Sequence, residues 1–351
     1  MHLKFIHKIT PLIVGTLLII SVIGCGTSQK TSLWLSQEEI NQFPTEGESF
    51  ENVVRVANLG QEADISDQNN DHNNQTYAQA LLCARGVDDN FCVQAKKGLQ
   101  DVIGTEENGR TLALGRNLLA YVLAADVINY KEEEFMNWLD EVRHNNLEGR
   151  TLISTHEDRP NNWGTHAGAS RIAASYYVGD EDDLERAAKV FHGWLGNRDA
   201  YSDFSYGGLD WQADPEAPVG INPPGSIRDG HSIDGVLPDD MRRCADGSFQ
   251  WPPCKTGYNW EALQGVVMQA EMLTRLGYSA WEWESKAILR TVNWLYETTF
   301  DNGSNEPAVG DDRWQPWLIN FAYDTDFPTE RGTQPGKNIG LTDWTHDRER
   351  P

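Results

Sequence analysis

Apolar residues recur at helical spacing along most of the chain. The segments YAQALLCARG, RTLALGRNLLAYVLAADVINY and NWEALQGVVMQAEMLTRLGY each place apolar side chains three and four positions apart, which is the period of a helix with a buried face. The segment SQEE adds the Ser-x-x-Glu pattern of a helix N-terminus. Strand-like alternation is scarce, so the pattern predicts an all-α fold.

The predicted helices follow one another with short connections, as antiparallel helix pairs do. Such arrays either stack as a solenoid or close into an (α/α) toroid, an incomplete helical barrel. No sequence repeat of fixed length is visible, which counts against a regular solenoid. We therefore expect an (α/α) toroid.

One stretch of about 60 residues, 198–257, breaks the helical pattern and is rich in Gly, Pro, Asp and aromatic residues. A loop of this length inside a compact domain is usually either functional or disordered. Its Trp and Tyr content argues against disorder. We interpret it as the wall or lid of a cleft.

The chain begins with an export pattern. Lys4, His7 and Lys8 precede the apolar run PLIVGTLLIISVIG, which is shorter than the roughly 20 residues of a membrane-spanning helix. We therefore interpret residues 1–25 as a signal peptide. Its end, VIGC, resembles a bacterial lipobox, and this resemblance implies a lipid anchor on Cys25. The alternative is an ordinary signal peptide with a chance cysteine.

The rest of the chain divides into a short tether, residues 26–34, and one large domain, residues 35–351. Hydrophobic residues make up 39% of the chain and 13 residues are Trp, which is enough for a sizeable core. The formal net charge of −24 argues against nucleic acid or an anionic membrane as a partner. We expect membrane attachment only through the N-terminal lipid. Solubility alone is the plainer explanation of the charge.

Four cysteines follow Cys25 in two close pairs, Cys83 with Cys92 and Cys244 with Cys254. Their spacings suit loop-closing disulfides in an exported protein. A zinc site is the alternative, but neither pair has the usual C-x2-C spacing. We expect two local disulfides and no metal.

The segment RPNNWGTHAGASRIAASYYVGD opens a helix with an unusually polar first turn, which holds Asn161, Asn162, Trp163 and His166. One Asn needs no explanation there, because Asn is a good N-cap. Two adjacent Asn residues raise the alternative of substrate binding. His166 would lie one turn after Asn162 on the same helix face.

A second motif spans the long loop and the helix after it. The succession D-G-x-L-P-x-x-x-x-R, then a Tyr that opens a helix with A-L and V-M-x-A-E, resembles the alginate lyases of the (α/α)-toroid class. That family also has an Asn-Asn-His motif at an earlier helix start, and PNNWGTH matches its two Asn. The resemblance extends over roughly residues 161–276. The matched positions of the second motif are Asp234, Gly235, Leu237, Pro238, Arg243, Tyr258, Ala262, Leu263, Val267, Met268, Ala270 and Glu271.

The resemblance implies β-elimination on a uronic-acid polysaccharide, alginate or glucuronan, without a metal or cofactor. A donor must neutralise the uronate carboxylate, a base must remove the C5 proton, and an acid must protonate the leaving O4. By the resemblance, Asn162 is the carboxylate neutraliser. Arg243 matches the family arginine, or Arg242 does if the register slips by one. Tyr258 matches the general acid, which in some members is also the base.

The chain departs from the family at the histidine, which directly follows the second Asn there and is replaced by Trp163 here. Two other histidines offer themselves as the base. One is His166, and the other is His231, which lies in the long loop and could fold over the cleft. We favour His231.

Other side chains are expected to hold the acidic polysaccharide. Asn161 and Trp163 flank the neutralising Asn, and Trp251 could stack on a sugar face. Because distant surface charges are screened, only the cleft itself must be positive. That positive patch is expected from Arg228, Arg242, Arg243 and Lys255.

Each catalytic role has a plainer alternative. Asn162 could merely cap its helix, and His166 could be a hydrogen-bonded core residue. Tyr258 could also belong to the core. Arg243 could form a structural ion pair with one of the acids of the segment PDDM.

Two other functions compete with the lyase. A glycoside hydrolase on the same toroid would use two carboxylates, such as Asp234 and Asp240, about 5 to 10 Å apart across a cleft. A surface lipoprotein that binds sugar without cutting it is the other. Fold class alone does not separate them, because one fold hosts many functions.

Overall fold

A computed structural model describes residues 32–347 of the chain. The predicted signal peptide, the predicted lipidation site Cys25 and residues 26–31 of the tether lie outside this range, so they stay predictions. The described residues are 52% helical with almost no strand, which confirms the all-α class. Within residues 32–347, no helix is long and apolar enough to pass through a bilayer.

The helices are α1 Gln37–Asn41, α2 Glu48–Ala57, α3 His72–Arg85, α4 Asp89–Asp101, α5 Thr111–Val127, α6 Glu133–Val142, α7 Leu152–Asp158, α8 Asn162–Val178, α9 Glu181–Leu195, α10 Pro238–Met241, α11 Tyr258–Arg275, α12 Trp283–Glu297, α13 Gln315–Tyr323 and α14 Thr342–Thr345. Short 3-10 helices span Ala280–Glu282 and Gly310–Asp312. Strands β1 Ile227–Arg228 and β2 His231–Ser232 pair antiparallel.

Helices α3, α5, α8 and α11 form the buried centre of the fold. In α5 every residue from Thr111 to Ala125 is buried, and α8 and α11 are buried over most of their length. Helix α5 packs on α3 and α8, and α8 packs in turn on α11. Helices α2, α4, α6 and α9 are amphipathic instead, as helices that cover a core are. This alternation suits a toroid, whose ring closure stays a prediction.

Two glycines allow the central helices to approach closely. A Cβ added at Gly115 of α5 would lie 2.9 Å from the amide nitrogen of Ala167 in α8. One added at Gly265 of α11 would lie 2.3 Å from the carbonyl carbon of Thr165. Both neighbouring atoms belong to the backbone, which cannot swing aside as a side chain can. Glycine is therefore required where α8 meets α5 and where it meets α11.

The long loop predicted at residues 198–257 contains three short elements, β1, β2 and α10. The Cys244–Cys254 disulfide lies in its last part. The Cys83–Cys92 disulfide joins the end of α3 to the start of α4. Both predicted disulfides are thus confirmed.

Substitution Gly265→Ala tests the close packing of α8 and α11. The higher helix propensity of Ala favours the variant by about 1 kcal/mol, but overpacking a core costs roughly 1–3 kcal/mol, and here the clash is with backbone. We expect the free energy of unfolding, measured by urea denaturation, to fall by about 1–2 kcal/mol.

Gly208→Ala is the matched control, because its added Cβ would meet only Arg242 Cδ, at 3.9 Å. We expect this control to change stability by less than about 0.5 kcal/mol. Equal stability of both variants and the parent protein would contradict the packing described here.

Candidate active site

The two Asn residues at the start of α8 have different partners. Asn161 is the N-cap: its Oδ1 accepts the Trp163 amide at 3.1 Å, and its Nδ2 donates to Asp239 Oδ2 at 3.1 Å. Asn162 is the first helical residue, and its own amide donates to Asp240 Oδ1 at 3.4 Å. Because Asn161 serves as the cap, the Asn162 side chain is left for another task.

The Asn162 side chain is in contact with the predicted arginine. Arg243 Nη2 donates to Asn162 Oδ1 at 3.5 Å. No other described residue hydrogen-bonds the side-chain amide of Asn162. Arg243 Nε is buried without a partner. An amide NH2 and a guanidinium with unused donors thus lie side by side, an arrangement suited to binding a carboxylate.

Tyr258 completes this group. It is the first residue of α11, it is 39% exposed, and its ring centroid lies 4.5 Å from Arg243 Cζ. No described residue hydrogen-bonds its hydroxyl. Tyr258 is therefore a surface residue at the helix start rather than part of the core.

The neighbouring arginine has a different role. Arg242 Nε donates to Asp239 Oδ1 at 2.7 Å, so Arg242 forms the structural ion pair that sequence reasoning considered for Arg243. Among the described ion pairs none includes Arg243. The geometry thus favours Arg243 over Arg242 as the arginine beside Asn162.

Asp240 lies buried behind Asn162. It is 1% exposed, and its Oδ2 has no hydrogen-bond partner. Burial raises the pKa of Asp240 well above its usual range, and the adjacent Asp239 charge adds to this, against the opposing charge of Arg243. Burial therefore favours the neutral form of the Asp240 carboxyl.

His166 is fully buried between three helices and the C-terminal segment. Its Nδ1 lies 2.6 Å from Asn338 Oδ1 and its Nε2 lies 3.2 Å from Glu261 Oε1. The Asn338 amide NH2 donates to the Gly115 carbonyl at 3.1 Å, which fixes Oδ1 as the atom facing His166. Both ring nitrogens therefore face side-chain oxygens.

Glu261 links His166 to α5 through an ion pair with Arg116. Burial alone would raise the pKa of Glu261, but the hydrogen bond and charge of His166 and the charge of Arg116 lower it to about 2. We call Arg116, Glu261 and His166 the buried charge cluster. It gives Arg116 and His166 a shared acidic partner, although Arg116 Nε is buried without a hydrogen-bond partner.

His231, the other predicted base, lies in the β1–β2 hairpin opposite Arg228. Its ring stacks on Trp251 with centroids 4.4 Å apart and planes 10° apart. In the described part of the chain, no hydrogen bond or ring contact joins His231 to Asn162, Arg243 or Tyr258. Likewise, the described hydrogen bonds of the His166 ring go to Asn338 and Glu261 and not to the side chains of these three residues.

The remaining predicted binding residues have other surroundings. Arg228 donates to the Gln212 carbonyl at 3.2 Å, and Lys255 is exposed. Trp163 lies beneath Arg159, whose Cζ is 5.4 Å from the indole ring. Of the four cations expected around the site, Arg243 alone is seen to contact Asn162 and Tyr258 within residues 32–347.

Sequence reasoning missed Arg116, Glu261 and Asn338. Arg116 and its neighbour Asn117 interrupt an apolar run in α5, and Glu261 follows Tyr258 by three residues on the same helix face. Both patterns are visible in the sequence. Asn338 lies 172 residues after its partner His166, and nothing near it in the sequence marks it.

Two further findings bear on possible ligands. A polar cavity of about 660 Å³ lies apart from these residues, between α3, α4 and the loop at residues 57–63. Among residues 32–347, no three His, Cys, Asp or Glu side chains are grouped as a metal ion would require.

The comparisons with known proteins agree with the motifs. Residues 96–201 match the family model for alginate lyase, which confirms the resemblance to an alginate lyase-like family over less than half of the chain. The matched segment contains α5 and α8 and therefore the Asn161–Asn162 motif. It ends before Arg243 and Tyr258. A search of curated proteins found no match to the chain.

Substitution Asp240→Asn tests the protonation of the buried acid. A carboxyl whose pKa is raised by folding contributes stability that is full below its unfolded pKa and is lost as pH rises through the folded value. Asn keeps the acceptor for the Asn162 amide and does not titrate. From about pH 4 to about pH 9 we expect the melting temperature of the parent protein to fall relative to that of the variant. A constant difference between the two would contradict a raised pKa.

Proposed function

Because residues 96–201 match the alginate lyase family model, we propose that the chain is a polysaccharide lyase that cleaves a uronic-acid polysaccharide, alginate or glucuronan, by β-elimination. The observation that carries this proposal is the contact of Asn162 with Arg243 and of Arg243 with Tyr258. These residues come from two helix starts and the loop between them. Together they place hydrogen-bond donors for a substrate carboxylate beside a group that can act as a general acid or base.

Hydrogen bonds from Asn162 and Arg243 to the uronate carboxylate make the C5 proton of the sugar more acidic. As the proton leaves, charge builds up on the uronate carboxylate, and fixed donors aimed at it stabilise the transition state. The unused NH2 of Asn162 and the guanidinium of Arg243 are such donors. The positive ends of the α8 and α11 dipoles act in the same direction.

In this proposal Tyr258 acts as both the general base and the general acid. Its hydroxyl is accessible and unpartnered, whereas His166 is buried with both nitrogens occupied. We assign both transfers to Tyr258, which lies against Arg243: its phenolate takes the C5 proton, and the resulting phenol gives that proton to O4 as the C4–O4 bond breaks. One group that performs both transfers acts on one face of the sugar. His231, the base favoured from sequence, is the alternative for proton removal.

The competing hydrolase fits the geometry less well. Asp234 accepts the Gly225 amide at 2.8 Å and pairs with Arg290, while Asp240 is 1% exposed. A hydrolase needs both carboxylates to face the sugar. Burial does not separate the two functions, because Asn162 is itself only 2% exposed; the ion pair of Asp234 with Arg290 engages one of the two carboxylates and favours the lyase.

Location of the enzyme is part of the proposal. We propose that residues 1–25 direct export and that a lipid on Cys25 holds the domain at a membrane surface. An extracytoplasmic location also suits the two disulfides. A polysaccharide substrate would be met in the same compartment.

The proposed activity is tested by ultraviolet absorbance during incubation with alginate or glucuronan, because elimination creates a conjugated double bond. We expect absorbance to rise with the parent protein. Tyr258→Phe should lower kcat by about 10²-fold or more, the usual contribution of a general acid or base.

Tyr278→Phe is the matched control, because Tyr278 lies just after the far end of α11, and its kcat should stay within about twofold of the parent value. His231→Ala separates the two candidate bases, and we expect a loss below about tenfold. A loss for His231→Ala as large as that for Tyr258→Phe would move proton removal to His231. Sugar binding without any new absorbance would instead indicate a binding protein.

A further inference from the structure

Glu306 is a buried acid that none of the motifs marks. It lies after α12 and is 1% exposed. Its amide donates to the Leu295 carbonyl at 2.9 Å, and its carbonyl accepts Trp260 Nε1 at 2.8 Å. The backbone of Glu306 is therefore fixed to both α11 and α12.

The carboxylate of Glu306 grips the chain on each side of Tyr258. Its Oε1 accepts the Gly257 amide at 2.8 Å, and its Oε2 accepts Asn259 Nδ2 at 3.1 Å. Gly257 is the N-cap of α11, has a φ of 70°, and makes no side-chain capping bond of its own. Glu306 therefore supplies, from a distant part of the chain, the acceptor for the N-cap amide that the N3 side chain of a capping box would otherwise provide.

Burying a carboxylate to hold the start of a helix costs free energy, because the charged group loses its hydration. Burial raises the pKa of Glu306, against the hydrogen bonds from Gly257 and Asn259 and the charge of Lys255. Two hydrogen bonds from one buried group fix the position of the backbone that they hold, and displacement of a reacting group by about 1 Å can cost 10²-fold in rate. The residue held between its two bonds is the exposed Tyr258.

We propose that Glu306 is a positioning residue for Tyr258: its two hydrogen bonds fix the first turn of α11, so that the phenol stays against Arg243. This inference rests on the proposed lyase function. Glu306 acts through Tyr258 and is not assigned any contact with substrate.

A polar atom near Glu306 that lacks a hydrogen-bond partner indicates which substitution of Glu306 the fold can accommodate. Asn259 Oδ1 is buried without a partner. In Glu306→Gln, the new Oε1 can accept the Gly257 amide, and the new Nε2 can donate to Asn259 Oδ1 once that amide rotates by half a turn. Glu306→Ala loses both bonds. Gln should therefore restore what Ala removes.

The test combines kinetics with hydrogen exchange on the full chain. Glu306→Ala should lower kcat on the uronate polymer by about 10- to 100-fold, with KM within about twofold. It should also accelerate amide exchange in the peptide around residues 255–262. Glu306→Gln should stay within about threefold of the parent kcat.

Glu271→Ala is the matched control, because Glu271 is also buried in α11 but bonds Trp281 Nε1 at 2.9 Å and Arg275 Nε at 2.7 Å, far from Tyr258. It should lower the melting temperature and leave kcat unchanged below that temperature. If Glu306→Ala does not fold, Asn259→Ala removes one of the two bonds and should give a smaller loss of kcat in the same direction.

Equal kcat for Glu306→Ala and the parent protein, or an equal loss in Glu306→Ala and Glu271→Ala, would overturn the positioning role. Unchanged exchange around residues 255–262 would overturn it too. If the parent protein produces no absorbance on any uronate polymer, the lyase proposal fails, and the exchange data still decide whether Glu306 fixes the α11 start.

Discussion

The close approach of α5, α8 and α11 is the constraint on which the candidate site depends. Gly115 and Gly265 bring the three backbones together, and the buried charge cluster joins them through Arg116, Glu261 and His166. A buried charge without its partner would cost several kcal/mol. The cluster therefore holds the three helices in one register, and with them the first turns that carry Asn162 and Tyr258.

At the start of α8, the residues that stabilise the fold are different from the residue that we propose binds the substrate. Asn161 caps the helix and His166 belongs to the cluster, so Asn162 accepts from Arg243 through Oδ1 and keeps a side-chain NH2 without a described partner. Arg242 neutralises Asp239, which leaves Arg243 as the local positive charge. A chain with a net charge of −24 can thus still present a cationic site to an acidic polymer, since distant charges are screened over about 8 Å.

Patterns within a single segment could be read from the sequence, and contacts between distant segments could not. Helical spacing predicted α5, α8 and α11, and two ordered motifs singled out Asn162, Arg243 and Tyr258. Spacing also placed His166 one turn beyond Asn162. Its full burial, however, depends on how α11 packs and on Asn338, 172 residues away. Glu306, 49 residues after Gly257, was hidden for the same reason.

The central claim is that Asn162 and Arg243 together bind a uronate carboxylate beside Tyr258. The most direct measurement is a crystal structure of the Tyr258→Phe variant with a uronate oligosaccharide, which slow turnover would preserve. We predict one carboxylate within hydrogen-bond distance, about 2.7–3.2 Å, of both Asn162 Nδ2 and the Arg243 guanidinium. An oligosaccharide bound elsewhere, or with its carboxylates turned away from both side chains, would contradict the account.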